Sequence, residues 1–104
     1  MDISISFKDV TTMIVNASGK INLETASEYG TAIKDAIYYY DEEIKELILD
    51  FSNIAMITSI GLKVILELYK EMEEKHGVLK IIGASGDVKK SFTMVGFERF
   101  ITIE

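Results

Sequence analysis

The chain contains no cysteine. Disulfides, thiolate metal sites and a cysteine nucleophile are therefore excluded, and a reducing compartment is the natural setting. Histidine is represented once, by His76, too little for an ordinary zinc site. A Ser-His-Asp triad would have to recruit that residue, and no G-x-S-x-G nucleophile elbow is present. Basic residues are also scarce: 11 Lys and Arg face 17 Asp and Glu, for a formal net charge of −6. Only Lys89 and Lys90 are adjacent, so the basic footprint of a nucleic-acid or anionic-membrane binder is missing. Long apolar runs are lacking too. A membrane helix needs roughly 20 such residues, and the candidates break at Asp50, Lys63 and Glu67. The opening Met1-Asp2-Ile3-Ser4 does not have the basic-then-apolar form of a signal peptide. The expectation is a cytoplasmic, non-enzymatic protein with no cofactor, no nucleic-acid partner and no direct membrane insertion.

What is present is a well-supplied core. Of 104 residues, 48% are hydrophobic, enough for one domain over residues 1–104 without internal repeats or linkers. Ile3, Ile5 and Phe7 alternate with Ser4, Ser6 and Lys8, the two-residue period of a half-buried strand. A second strand runs from Val10 to Ser18, with the hairpin turn at Lys8-Asp9 and Gly19 ending the unit. A helix is expected from Thr25 to Tyr40, with Ala26, Tyr29, Ile33, Ala36, Ile37 and Tyr40 on one face. Thr25 and Glu28 have the spacing of a capping box, and Asp41-Glu42-Glu43 follows as a solvated break. Leu47-Ile48-Leu49-Asp50-Phe51 reads as a parallel strand covered on both faces. After a loop, a second helix spans Ser59 to Lys75 with an apolar set of Leu62, Ile65, Leu66, Tyr69 and Met72, stopped by Gly77. Val78–Ile82 is a strand, Ser85–Val95 a helix ending at Gly96 with Phe97 folding back on it, and Ile101-Thr102-Ile103 a last strand. The order ββαβαβαβ gives an α/β fold: a mostly parallel sheet with the first strand antiparallel.

Few segments are positioned for chemistry. His76 reads as a solvated residue beside a turn, favoured by the helix dipole. Gly83-Ala84-Ser85-Gly86-Asp87 joins a strand to a helix but lacks the G-x-x-x-x-G-K-S/T pattern of a phosphate loop. It reads as a turn in which Ser85 or Asp87 caps the third helix, with nucleotide or small-ligand binding as the alternative. Tyr38-Tyr39-Tyr40 is either a partner-binding patch or an aromatic cluster partly buried against the neighbouring loop. The most informative stretch runs from Asp50 to Leu62, where a strand leads through an apolar loop to Thr58-Ser59 at a helix start. A hydroxyl there can cap the helix. Gly61 in the first turn costs roughly 1 kcal/mol of helix propensity relative to alanine, which suits a close approach to the backbone, and a helix N-terminus tolerates a phosphate well.

Those residues carry a family resemblance. A strand ending D-L/F-S, a short apolar loop and then S-x-G-L opening a helix appears here as Asp50-Phe51-Ser52 through Ser59-Ile60-Gly61-Leu62. Gly19-Lys20-Ile21-Asn22 with Thr25 resembles G-x-L/I-D-x-x-T/S before the first helix. Val95-Gly96-Phe97 with Phe100-Ile101 resembles the glycine-hydrophobic pair before the last strand. Over essentially its full length the chain resembles a STAS domain, in particular the bacterial anti-sigma factor antagonists. The resemblance implies a right-handed β-α superhelix and a phosphorylated serine at Ser59. It also implies an anti-sigma factor that is itself a serine kinase as partner, and a serine phosphatase that reverses the modification. The implied docking face comprises Asn22, Thr25, Ile57, Thr58, Ser59, Ile60, Gly61 and Lys63. Two positions depart from the pattern: Thr58 replaces the acidic residue before the serine, and Asn22 the aspartate of the first motif. Phosphorylation at Ser59, phosphorylation at Thr58 and a constitutive binder all remain open. So does a non-phosphorylated subunit of a stress-signalling assembly or membrane transporter.

Overall fold

A computed structural model describes residues 1–40 and 43–104. Two strands, β1 (Asp2–Asp9) and β2 (Thr12–Ile21), form an antiparallel hairpin. Helix α1 (Ala26–Tyr40), β3 (Glu46–Ile57), α2 (Ser59–Glu74), β4 (Val78–Ile82) and α3 (Gly86–Met94) follow, then a 3-10 turn (Phe97–Arg99) and β5 (Thr102–Ile103). The sheet order is β1-β2-β3-β4-β5, parallel from β2 onward. Crossovers of one hand that always step the same way form a β-α superhelix and place the helices on one face. The expected α/β architecture is the observed one.

That arrangement explains which strand residues are buried. Met13, Val15 and Ala17 on β2, Leu47, Leu49 and Phe51 on β3, and Leu79 and Ile81 on β4 form the core with Tyr29, Ile33, Leu68, Met72 and Phe92 from the helices. Aromatic rings join the layers, Phe51 lying 6.3 Å from Tyr29 and 5.6 Å from Phe92 between centroids. The opposite sheet face carries Ile14, Asn16, Asp50, Lys80 and Ile82, all half-buried. Leu47–Phe51 is thus covered by helices on one side only. Ile48, on the other, is shielded by its registered neighbours Ile14 and Lys80.

Several local expectations are corrected. The hairpin turn falls at Val10-Thr11, not Lys8-Asp9, because the Asp9 carboxylate accepts hydrogen bonds from the Thr11 N–H and Oγ1, each at 2.9 Å. β2 passes through Gly19, at φ 114°, to Ile21. The Thr25–Glu28 capping box gives way to one between Asn22 and Thr25. The Asn22 N–H donates to Thr25 Oγ1 at 3.0 Å, and the Thr25 N–H to Asn22 Oδ1 at 3.2 Å. Glu28 instead meets the amino terminus at 3.5 Å. On α2 the buried set is Gly61, Val64, Ile65, Leu68 and Met72, while Leu62, Leu66 and Tyr69 are half-buried. The helix is rolled toward α1, where Gly30 admits Val64: a Cβ on Gly30 would lie 2.8 Å from Val64 Cγ1.

The end of α2 is also subtler than a glycine stop. His76 takes the left-handed conformation (φ 58°). Its N–H donates to the Glu73 carbonyl, and the Gly77 N–H reaches back to Met72, the two bonds of a Schellman motif. Gly77 is needed for space, since a Cβ there would sit 2.8 Å from the Lys45 carbonyl oxygen. Tyr40 is not part of the buried stripe. It is 37% exposed and packs against Phe7, centroids 4.8 Å apart, while Tyr38 and Tyr39 face solvent. Of the polar break after α1, Asp41 and Glu42 lie outside the described residues.

Candidate functional site

The segment read as a loop before Ser59 is strand. β3 continues to Ile57, paired with Ser18–Ile21 of β2, and two register shifts each insert an extra residue on the β3 side. The inward positions consequently step from Phe51 to Ile54 to Ile57. These bulges break the two-residue period, which is why the alternation rule stops at Phe51. They also aim the strand end, so that Ser59 begins α2 at the carboxyl edge of the sheet, where binding sites of open α/β sheets lie.

β2 and β3 end side by side, which joins the two motifs. Ile21 is registered with Ile57, and the Ile21 carbonyl accepts the Thr58 N–H at 3.0 Å and Thr58 Oγ1 at 3.4 Å. Thr58 is therefore half-buried with its hydroxyl engaged, and it gives no side-chain cap to α2. Capping by a Thr58 side chain, one expectation for this hydroxyl pair, is corrected on that ground. Ser59 is exposed at the first helical position, and Lys63, one turn on, is exposed as well. Asn22 and Thr25, locked in their reciprocal cap, flank the same edge and are half-buried.

Two expected contact residues lie inside the protein. Ile57 is only 7% exposed, and Gly61 is buried. The close approach that demands glycine at position 61 comes from this chain itself. A Cβ there would lie 2.6 Å from Ile57 Cγ1 and 2.8 Å from Ile21 Cγ2. Both residues shape the face from beneath it. The outer apolar surface comes instead from Leu23 (81% exposed) and Ile60 (37%), whereas Met56 (40%) lies on the side of α3, near Asp87, Val88 and Ser91. Leu23 and Met56 escaped sequence reading, because Leu23 is isolated in a turn and Met56 stands in the bulged part of β3 where alternation fails. Beside this face runs a groove of about 400 Å³ between α1 and α2, lined by Leu23, Ala26, Ile60 and Val64. The Lys34–Glu67 ion pair, at 3.4 Å, sits in its lining.

The other candidates resolve differently. Ser85 caps α3, accepting the Val88 N–H at 3.3 Å. Gly83, at φ 73°, packs directly over Ser52, whose N–H and Oγ both donate to Asp50 Oδ1. Gly83 thus serves packing and Ser85 the cap, while a Cβ on Gly86 would meet open space. Among the described residues, no group of three or more His, Asp or Glu is placed to hold a metal ion. No helix among them is long and apolar enough to cross a membrane.

Known proteins share this fold. The unphosphorylated form of the anti-sigma factor antagonist SpoIIAA is 17% identical, with a TM-score of 0.83 over 99% of this chain and 88% of that one. An anti-sigma factor antagonist from Mycobacterium paratuberculosis is 19% identical, with a TM-score of 0.85 over 98% of this chain and 83% of that one. The phosphorylated form of the Bacillus cell fate determinant SpoIIAA is 16% identical, with a TM-score of 0.74 over 99% and 91%. At such identities these likenesses establish the fold. The sequence profile of the STAS domain matches residues 3–104, and the chain therefore belongs to the STAS domain family.

Proposed function

We propose that this chain is a protein-docking module of the anti-sigma factor antagonist type, with its docking face at the start of α2 and a phosphorylation switch at Ser59. The observation that carries this reading is the contrast between the two adjacent hydroxyls. Ser59 is exposed on the first turn of a helix that lacks a side-chain cap, whereas Thr58 is tied to the Ile21 carbonyl. A kinase needs an accessible hydroxyl, and Ser59 offers it.

The unphosphorylated face is suited to a partner with apolar anchors. Ile60, which follows Ser59 on α2, and Leu23, beside Ile60 in the groove between α1 and α2, give this end of the helix exposed hydrophobic surface. A phosphate on Ser59 adds about −1.5 to −2 charges. It would be held where it forms, by the open amides of the first turn and by Lys63, four residues on along the same helical face. Docking would then require burying that charge in an apolar interface, which costs a few kcal/mol and lowers affinity by roughly two orders of magnitude. The partner in this reading is an anti-sigma factor with serine kinase activity, with a phosphatase restoring the binding form.

The test combines phosphorylation by a cognate anti-sigma kinase with fragment-ion mapping of the site, followed by binding measurements. Phosphate on Ser59, its loss in Ser59→Ala, and weakened binding by Ser59→Asp are expected. Phosphate on Thr58, or a Ser59→Asp chain that binds like the parent, would refute the switch.

A further inference from the structure

β1 ends the sheet, and its outer edge is unpaired among the described residues. An eight-residue edge strand with free backbone groups is a template for another strand unless it is blunted. Its sequence, Asp2-Ile3-Ser4-Ile5-Ser6-Phe7-Lys8, reads similarly in both directions by residue class, except that its two ends carry opposite charges. That pattern is the one an antiparallel strand needs to pair with itself.

We propose that a second copy of this chain pairs with the outer edge of β1, giving a two-fold dimer with one continuous sheet through both protomers. This inference is independent of the docking face proposed above, which lies at the ends of β2 and β3. Placing the two-fold axis at Ile5 sets Ile5 opposite its own copy, Ile3 opposite Phe7, Ser4 opposite Ser6 and Asp2 opposite Lys8. Opposed residues of an antiparallel pair share a face, so apolar meets apolar on the helix side and hydroxyl meets hydroxyl on the other. Each end joins a carboxylate to an ammonium group. Asp2 and Lys8 are exposed and hold no ion pair among the described residues. Shifting the register by two residues in either direction loses the charge pairing, setting Asp2 against Ser6 or Lys8 against Ser4. Regular pairing with β2 runs from Asp2 to Phe7 before a bulge at Lys8, so the straight part of the edge carries every pair of the dimer except the terminal Asp2–Lys8 contacts.

Burial points the same way. Phe7 is 41% exposed although it belongs to the core-facing set, and Ile3 and Ile5 are only half-buried. Phe7 packs edge-on against Tyr40, which in turn meets Tyr39 at 4.9 Å. In the dimer each Phe7 would cover the partner's Ile3, and the aromatic cluster would flank the joint at both ends.

Sedimentation of the full chain across a concentration series tests the idea. A concentration-dependent dimer is expected. Lys8→Asp, which sets two carboxylates together at each end, should raise its dissociation constant by about tenfold or more. The charge-swapped D2K/K8D chain should recover most of the loss. Because the chain has no cysteine, Ile5→Cys would carry a single thiol on the axis. Mild oxidation should link it into a covalent dimer, whereas Ser59→Cys should stay monomeric. A parent chain that remains monomeric at millimolar concentration would overturn the proposal, as would a D2K/K8D chain no better than Lys8→Asp.

Discussion

Gly61 shows how a single residue can look functional and be structural. Alanine would improve helix propensity by about 1 kcal/mol. Its Cβ, however, would press on Ile57 and Ile21 side chains and lie 3.1 Å from the Ile21 carbonyl oxygen. Overpacking of that kind costs about 1–3 kcal/mol, so Gly61→Ala is expected to lower stability overall, as urea unfolding will show. An unchanged or raised midpoint would mean that β2 and β3 yield at their ends. Tyr29 presents the opposite case. Its ring is buried against Phe51, its hydroxyl has no hydrogen-bond partner among the described residues, and burial pushes its phenol well above the ordinary range. Removing an unsatisfied buried hydroxyl relieves a desolvation cost of about 1–3 kcal/mol. Tyr29→Phe should thus melt at or above the parent temperature, and a clear decrease would reveal a partner for that oxygen.

At the scale of elements, local side-chain bonds place the boundaries. Asp9 fixes the hairpin, and hydrogen bonds from the Thr11 N–H and then its hydroxyl hold its carboxyl below the ordinary range. A carboxyl depressed in the folded state stabilises above its unfolded pKa, and that contribution is lost as pH falls through the folded value. Asp9→Asn keeps the turn geometry but not the titration. Melting curves on the acid side should therefore fall less steeply for Asp9→Asn than for the parent. The N-terminus of α1 depends on Asn22, which accepts from both Glu24 and Thr25 N–H groups. Asn22→Ala should cost about 1 kcal/mol by thermal or chemical unfolding. It should also loosen the turn holding Leu23 in the groove with Ile60. The position that departs from the family's aspartate thus retains an acceptor oxygen in the cap.

For the whole molecule, the aromatic column is the joint between layers. Phe51 touches Tyr29 on α1 and Phe92 on α3, and Phe92 stacks on Phe97 of the 3-10 turn. Truncating Phe51, which has no exposed surface, should cost about 3–5 kcal/mol, the usual price of an aromatic-to-alanine cavity. Because that ring bridges helices from both ends of the chain, the loss should appear as one cooperative shift of the unfolding transition. A separate early transition of α3 would show that the helical layer is less tightly coupled than the ring contacts imply.

Local periodicity was sufficient for the order of elements, the parallel sheet with its antiparallel first strand, and a helix start at Ser59. These depend on neighbours in sequence: alternation at two residues, stripes at three and four, glycines at breaks. Contacts between distant residues decided the rest. The bulges that extend β3 to Ile57 exist only against β2, and the roll of α2 toward α1 follows from Gly30 admitting Val64. The same neighbours bury Ile57 and Gly61 and engage Thr58, leaving Ser59, Ile60, Met56 and Leu23 outside. Residue type and spacing specify which backbone forms. Which side of it meets solvent is set by what packs against it, and that information is spread over the whole chain.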